Sequence, residues 1–272
     1  MHVRCTPLLN PGLPPSDVAF LSRGLALCVA LACLAVLPAN AVENAPAANA
    51  PETAAALPAA PQGAERLMRA NFRQEAASPE AQELAHWVVH SSDNRSLPFI
   101  IIDKVQAKVF VFAADGQLRG AAPALLGLAV GDDSVPGIGQ RKLSTIRPEE
   151  RTTPAGRFVA SLSRDVNGEE VLWVDYEGAV SLHRVVKGHP KERRAERLAS
   201  PTPLDNRISY GCINVPVKFY EEVVSPSFKA TYGIVYVMPE TRPARQVFSS
   251  FAIDDRADPG AAPARMVPVK AN

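Results

Sequence analysis

The 272-residue chain has little cysteine: four in all, with Cys5, Cys28 and Cys33 confined to its first 41 residues. Beyond that point Cys212 stands alone. No disulfide within the remainder can staple a fold, so a packed core must hold it together. Charge of one sign is also missing. The 29 Lys and Arg against 28 Asp and Glu leave a net charge of +1, which points to neither nucleic acid nor an anionic membrane surface. The 16 glycines, the lack of internal repeats and the absence of long charged blocks exclude a fibrous chain. Paired ligand spacings are absent too. A zinc site built on Cys212, His183 and His189 would lack a fourth ligand.

A single long apolar run is present, and it lies near the start. Leu25–Leu37 is unbroken and follows Arg23; Ala39-Asn40-Ala41 then supplies the small-x-small pattern of a signal-peptidase site. Thirteen residues are too few to cross a bilayer at about 1.5 Å rise each. The reading is a secretory signal over 1–41 and delivery to the periplasm, with no membrane span left after cleavage. The long Pro-rich stretch before the run allows a start downstream of Met1. Lipidation at Cys33 is the weaker alternative, because apolar residues continue beyond it.

Composition divides the rest. Residues 42–63 are Ala, Pro, Asn and Glu and read as a disordered linker. Residues 64–96 read as an N-terminal helical segment, with Ser78-Pro79 breaking it into two short helices. From Pro98 the pattern becomes that of strands: Phe99–Ile102, Lys108–Phe112, Gly120–Val130, Arg157–Leu162, Val171–Tyr176, Ala179–His183 and Gly233–Met238. Asp115-Gly116 supplies a hairpin turn. Polar loops at 131–151 and 184–207 interrupt the series, and Pro216–Val224 suits a short helix. The expectation is a mostly β domain of sandwich or barrel type over 97–240, followed by a mobile tail at 241–272.

Chemistry concentrates in Ser209-Tyr210-Gly211-Cys212-Ile213-Asn214. A lone thiol in an exported chain is an inert buried group, an intermolecular bridge or a nucleophile. The glycine and polar flanks favour the nucleophile over a core position. A thiol needs a base, and His183 at a strand end can meet it across a loop. His189, in a charged loop before Pro190, is a weaker candidate, and His86 and His90 on the N-terminal helix read as packing or surface groups. A tight turn at Tyr210, Gly211 and Cys212 can aim backbone N–H groups at a developing oxyanion, with Asn214 bracing it.

These residues resemble the L,D-transpeptidase catalytic domain (YkuD-like), whose signature is His, a gap, then Ser/Thr-His-Gly-Cys-apolar-Asn. Thr153-Pro154-Ala155-Gly156-Arg157-Phe158 is similar to that family's Thr-Pro-x-Gly-x-aromatic stretch, and Ile101-Ile102-Asp103 with Asp115-Gly116 resembles its opening strands. The resemblance implies a secreted enzyme of peptidoglycan synthesis and cell-wall biogenesis that acts on stem peptides without metal or organic cofactor. It implies Cys212 as nucleophile, His183 as general base, the backbone carbonyl of Arg184 as its orienting group, and the N–H groups of Tyr210, Gly211 and Cys212 as oxyanion hole, with Ser209 and Asn214 in support. Two departures stand out. Tyr210 replaces the family's usual His, and the stretch between His183 and Ser209 is long. That stretch, rich in Arg and Lys, reads as a substrate-binding lid or as a solvated charged helix. Arg207 is the expected carboxylate contact, with Tyr210 beside it. Sequence leaves 3-3 and 1-3 cross-linking open, as it does transfer, hydrolysis by water and non-catalytic wall binding.

Overall fold

Phe99-Ile-Ile-Ile102 offers no polar position on either face, the pattern of a strand covered on both sides. The computed structural model, which describes residues 68–248, places it accordingly. Strand β1 (Phe99–Asp103) is buried throughout and lies parallel to the equally buried β10 (Gly233–Val237), with Ile100 opposite Val235. Around this pair run β2 (Lys108–Phe112), β3 (Leu118–Pro123), β5 (Gly156–Arg164), β6 (Glu170–Asp175), β7 (Val180–Arg184) and β9 (Ile213–Val215). The sheet order is β3-β2-β1-β10-β5-β6-β7-β9. A small second sheet pairs β4 (Leu126–Gly127) with β8 (Arg207–Ser209). Leu125 bridges Asn214, so the last strand of the large sheet meets the chain just beyond its first, and the sheet curls nearly into a barrel. The expected mostly β architecture is present.

Alternation along the strands builds two apolar layers. Ile100, Ile102, Val235 and Val237 point inward to Val109, Val111, Leu172, Leu182 and Ile213. Phe99, Ile101, Ile234 and Tyr236 point outward to Phe110, Phe112 and helix α1 (Pro79–Ser91). The inner layer is closed by the helical run that follows the cysteine: α3 (Val217–Phe219), a π turn at Tyr220–Val224 and α4 (Ser225–Phe228). Its Tyr220, Val224 and Phe228 recur every four residues and are buried.

Two expectations are corrected. Ser78-Pro79 does not separate two helices within the described residues; it begins α1. The Ser78 hydroxyl accepts from Ala81 N–H at 3.1 Å and donates to Asp103 at 2.6 Å, while Pro79 takes the first-turn position where no N–H is needed. Upstream, Asn71 bridges Gln117, and Phe72 packs edge-on to Phe110 and Phe112 at 5.4 and 5.1 Å. Aromatic burial there outweighs helix periodicity. The tail is also packed as far as it is described. Thr241 binds Asp132, Arg242 pairs with Asp133 at 2.8 Å, and α5 (Arg245–Phe248) seats Phe248 against Tyr236. The expected signal (1–41), the linker (42–63) and residues 249–272 lie outside the described residues. Among those described, no helix is long and apolar enough to cross a membrane.

Candidate active site

Parallel pairing of β7 with β9 assembles the site. Leu182 lies opposite Ile213 and His183 opposite Asn214. Because side chains alternate, Ser181 and His183 share a face with Cys212 and Asn214. That face opens into a cleft of about 390 Å³ lined by Cys212, His183, Ser209, Tyr210 and Asn214. The loop 131–151 forms one wall through Arg141, Lys142 and Ile146, and the 184–207 stretch contributes Val186, Gly188 and Arg194. The lining carries three cationic side chains, Arg141, Lys142 and Arg194, and no carboxylate among the described residues.

His183 is buried, and its Nδ1 lies 2.7 Å from the Arg184 carbonyl oxygen, an acceptor that requires the proton on Nδ1. The Arg184 side chain is fixed elsewhere. It donates to Glu221 at 3.1 Å and to the Glu170 carbonyl at 3.1 Å, and it lies over the Tyr220 ring. The Cys212 sulfur donates to the Ala179 carbonyl at 3.6 Å and accepts from the Ser181 hydroxyl at 3.7 Å. Ser181 was not singled out from sequence, although its place two residues before His183 on a strand carried the signal.

The cysteine turn is braced from within. Gly211 has φ +132°, and a Cβ there would stand 2.8 Å from the Thr152 carbonyl oxygen, so only glycine fits. Its carbonyl accepts from the Thr153 hydroxyl at 2.9 Å, and that hydroxyl oxygen in turn accepts from Gly127 N–H at 2.8 Å. Thr153 therefore clamps the Thr-Pro-Ala-Gly turn to the cysteine loop. The Ser209 hydroxyl accepts from Gly211 N–H at 3.1 Å and donates to the Cys212 carbonyl at 2.6 Å. Asn214 donates to that carbonyl at 3.3 Å. Of the three N–H groups expected as donors, that of Gly211 is thus already paired. The Tyr210 ring is held by the Arg151 guanidinium, 3.9 Å from its centroid.

Arg207 is not where sequence reasoning put it. It is absent from the cleft lining and is spent on Glu240 and on the carbonyls of Lys104 and Gly127. The 184–207 stretch reaches the cleft through Val186, Gly188 and Arg194 and is tied to its surroundings. Its helix α2 (Arg194–Ala199) is anchored by Arg194 to Glu192 and Asn214, and by Arg197 to the carbonyls of Glu192 and Asp205. Arg193 and Glu196 remain exposed. His189 caps the turn Pro190–Glu192 by accepting from Lys191 N–H, and neither His86 nor His90 lines the cleft.

Electrostatics stiffen the opposite wall. Arg141 and Arg147, with Arg147 N–H, surround Glu150; the Arg141 hydrogen bonds are the largest influence and bring the Glu150 carboxyl down to about 2. Asp132 is buried, which alone would raise it, but hydrogen bonds from Lys104, Thr241 and the N–H groups of Glu240 and Thr241 hold it far below the usual carboxylate range.

No family model matches the chain, and neither does any curated protein. Solved structures with similar folds include the LD transpeptidase LdtMt1 in complex with imipenem, at 16% identity over 52% of this chain and 58% of that one, TM-score 0.31. The helical cell shape determining protein Pgp2 from Campylobacter jejuni matches at 14% identity over 54% and 49%, TM-score 0.37. The catalytic domain of the E. faecium L,D-transpeptidase matches at 16% identity over 52% and 96%, TM-score 0.29. The chain thus spans roughly half to three-fifths of the first two structures. At such identities and scores these likenesses carry no weight for function, which must come from the cleft.

Proposed function

We propose that the protein is a cysteine L,D-transpeptidase of peptidoglycan, acting outside the cytoplasmic membrane. The observation that carries this reading is the parallel register of β7 and β9, which turns Cys212 and a buried His183, its Nδ1 tied to the Arg184 carbonyl, onto one cleft. His183 Nε2 takes the Cys212 proton as sulfur bonds to a stem-peptide carbonyl carbon next to diaminopimelate. The carbonyl electron pair moves to oxygen, where the N–H groups of Tyr210 and Cys212 receive it. On collapse the C–N bond breaks, the departing amine takes the proton from His183, and a thioester remains. An amine of a second stem then attacks the thioester, gives its proton to His183, and releases the sulfur, which recovers that proton. The cationic lining suits a substrate rich in carboxylates.

The test is tandem mass spectrometry of muropeptides incubated with the mature chain and with Cys212→Ala. New dimers with wild type alone are expected, and their fragments distinguish 3-3 from 1-3 links. Trimmed monomers without dimers would make water the acceptor. Binding to sacculi without any product would replace catalysis by a wall-binding role.

A further inference from the structure

Arg194 belongs to the 184–207 stretch, yet its side chain is only 10% exposed and lines the cleft. Its Nε donates to Glu192 at 2.7 Å and its Nη1 to Asn214 Oδ1 at 2.8 Å. A guanidinium has donors only, so the Asn214 atom that faces it is the carbonyl oxygen, and the amide nitrogen is turned inward. There Nδ2 donates to the Cys212 carbonyl and stands 3.5 Å from His183 Nε2. An N–H group facing Nε2 calls for a lone pair on that atom. On the other side of the ring, the Arg184 carbonyl calls for a proton on Nδ1. Both contacts select one neutral tautomer. At the sulfur, the Ala179 carbonyl accepts from the thiol while the Ser181 hydroxyl donates to it, so these two contacts pull in opposite directions. Ala179 itself holds φ +54°, a strained backbone for a residue with a side chain.

We infer that Arg194 is a positioning residue: through the Asn214 amide it holds the His183 ring in the tautomer whose Nε2 lone pair is open to receive a proton. This rests on the proposed role of His183 as base. The other charged or titratable groups around the ring are consistent with it. Cys212 lies beside it, Arg141 (bound to Glu150) and Lys142 line the opposite wall, Glu192 stands behind Arg194, and Arg184 is turned outward to Glu221. No carboxylate in the described lining offers Nε2 an alternative acceptor.

The experiment is nitrogen NMR of the His183 ring in the full chain carrying Cys212→Ala, which removes the thiol's own titration. This parent is expected to show the proton on Nδ1 and a lone pair on Nε2. Adding Arg194→Ala or Arg194→Met raises the share of the Nε2-protonated tautomer by about threefold or more. Arg194→Met keeps the apolar stem, so it carries the test if Arg194→Ala loosens the loop. A parent with its proton on Nε2, or an unchanged tautomer share in both variants, overturns the inference. The spectrum needs no turnover, so a chain that cross-links nothing would sink the transpeptidase reading without deciding the tautomer.

Discussion

Arg207 shows how a cation near the proposed nucleophile in sequence can lie outside its cleft in space. Its guanidinium is largely buried against Glu240, and its removal leaves that carboxylate the Lys104 ammonium at 3.4 Å and the Gly131 N–H at 3.0 Å. Arg207→Ala is expected to cost about 1–2 kcal/mol of stability, seen as a lower urea midpoint, while KM for a stem peptide stays unchanged. A rise in KM at constant stability would restore it to the substrate site. Ser181 makes the opposite point. Nothing in its local sequence marks it, but strand period and the His183 position two residues later place it on the reacting face. The Gly211 requirement was legible because a Gly-Cys pair in a polar turn already signals close backbone approach. The loss of Gly211 N–H to the Ser209 hydroxyl was not, since it depends on a rotamer.

At the level of elements, the wall built by residues 131–151 depends on one carboxylate. Glu150 has a folded-state value of about 2, below the ordinary 4.5, so the fold favours its ionised form. Its stabilisation is therefore complete above pH 4.5 and is lost as pH falls toward about 2. Thermal melts across that window should show Glu150→Gln flattening the acid-side decline and lowering stability above it. A wild-type slope in the variant would assign the decline to other carboxylates, Asp132 first. The strands were legible from β-branched and aromatic runs, and the helix after the cysteine from its four-residue repeat. Residues 68–77 of the expected N-terminal helical segment were misread because Phe72 has a helical neighbour pattern in sequence but an aromatic socket in space.

Over the whole molecule, the buried Lys104 ties distant segments together. Its ammonium reaches Gly131 and Thr153 carbonyls at 2.6 and 2.9 Å and Asp132 at 2.8 Å, with Glu240 at 3.4 Å. It thus joins the end of β1, the base of the 131–151 loop, the Thr-Pro turn behind the cysteine loop, and the segment after β10. Lys104→Ala should cost about 3–5 kcal/mol, measured by denaturant titration; a loss below about 1 kcal/mol would mean the cluster relaxes without its cation. Sequence gave no sign of this hub, because a lysine after an apolar strand ordinarily marks a surface. The central pair β1 and β10 has a temporal consequence. The strand that fills the middle of the sheet, between β1 and β5, is among the last to be synthesised. Until it arrives, the two halves of the sheet have nothing to pair across, and the cysteine loop rests on an unfinished scaffold. Folding must wait for a closure that spans most of the domain, the kind of long-range step that slows a β-rich chain. The proposed nucleophile is thereby kept from its proposed site until the chain beyond it has been made.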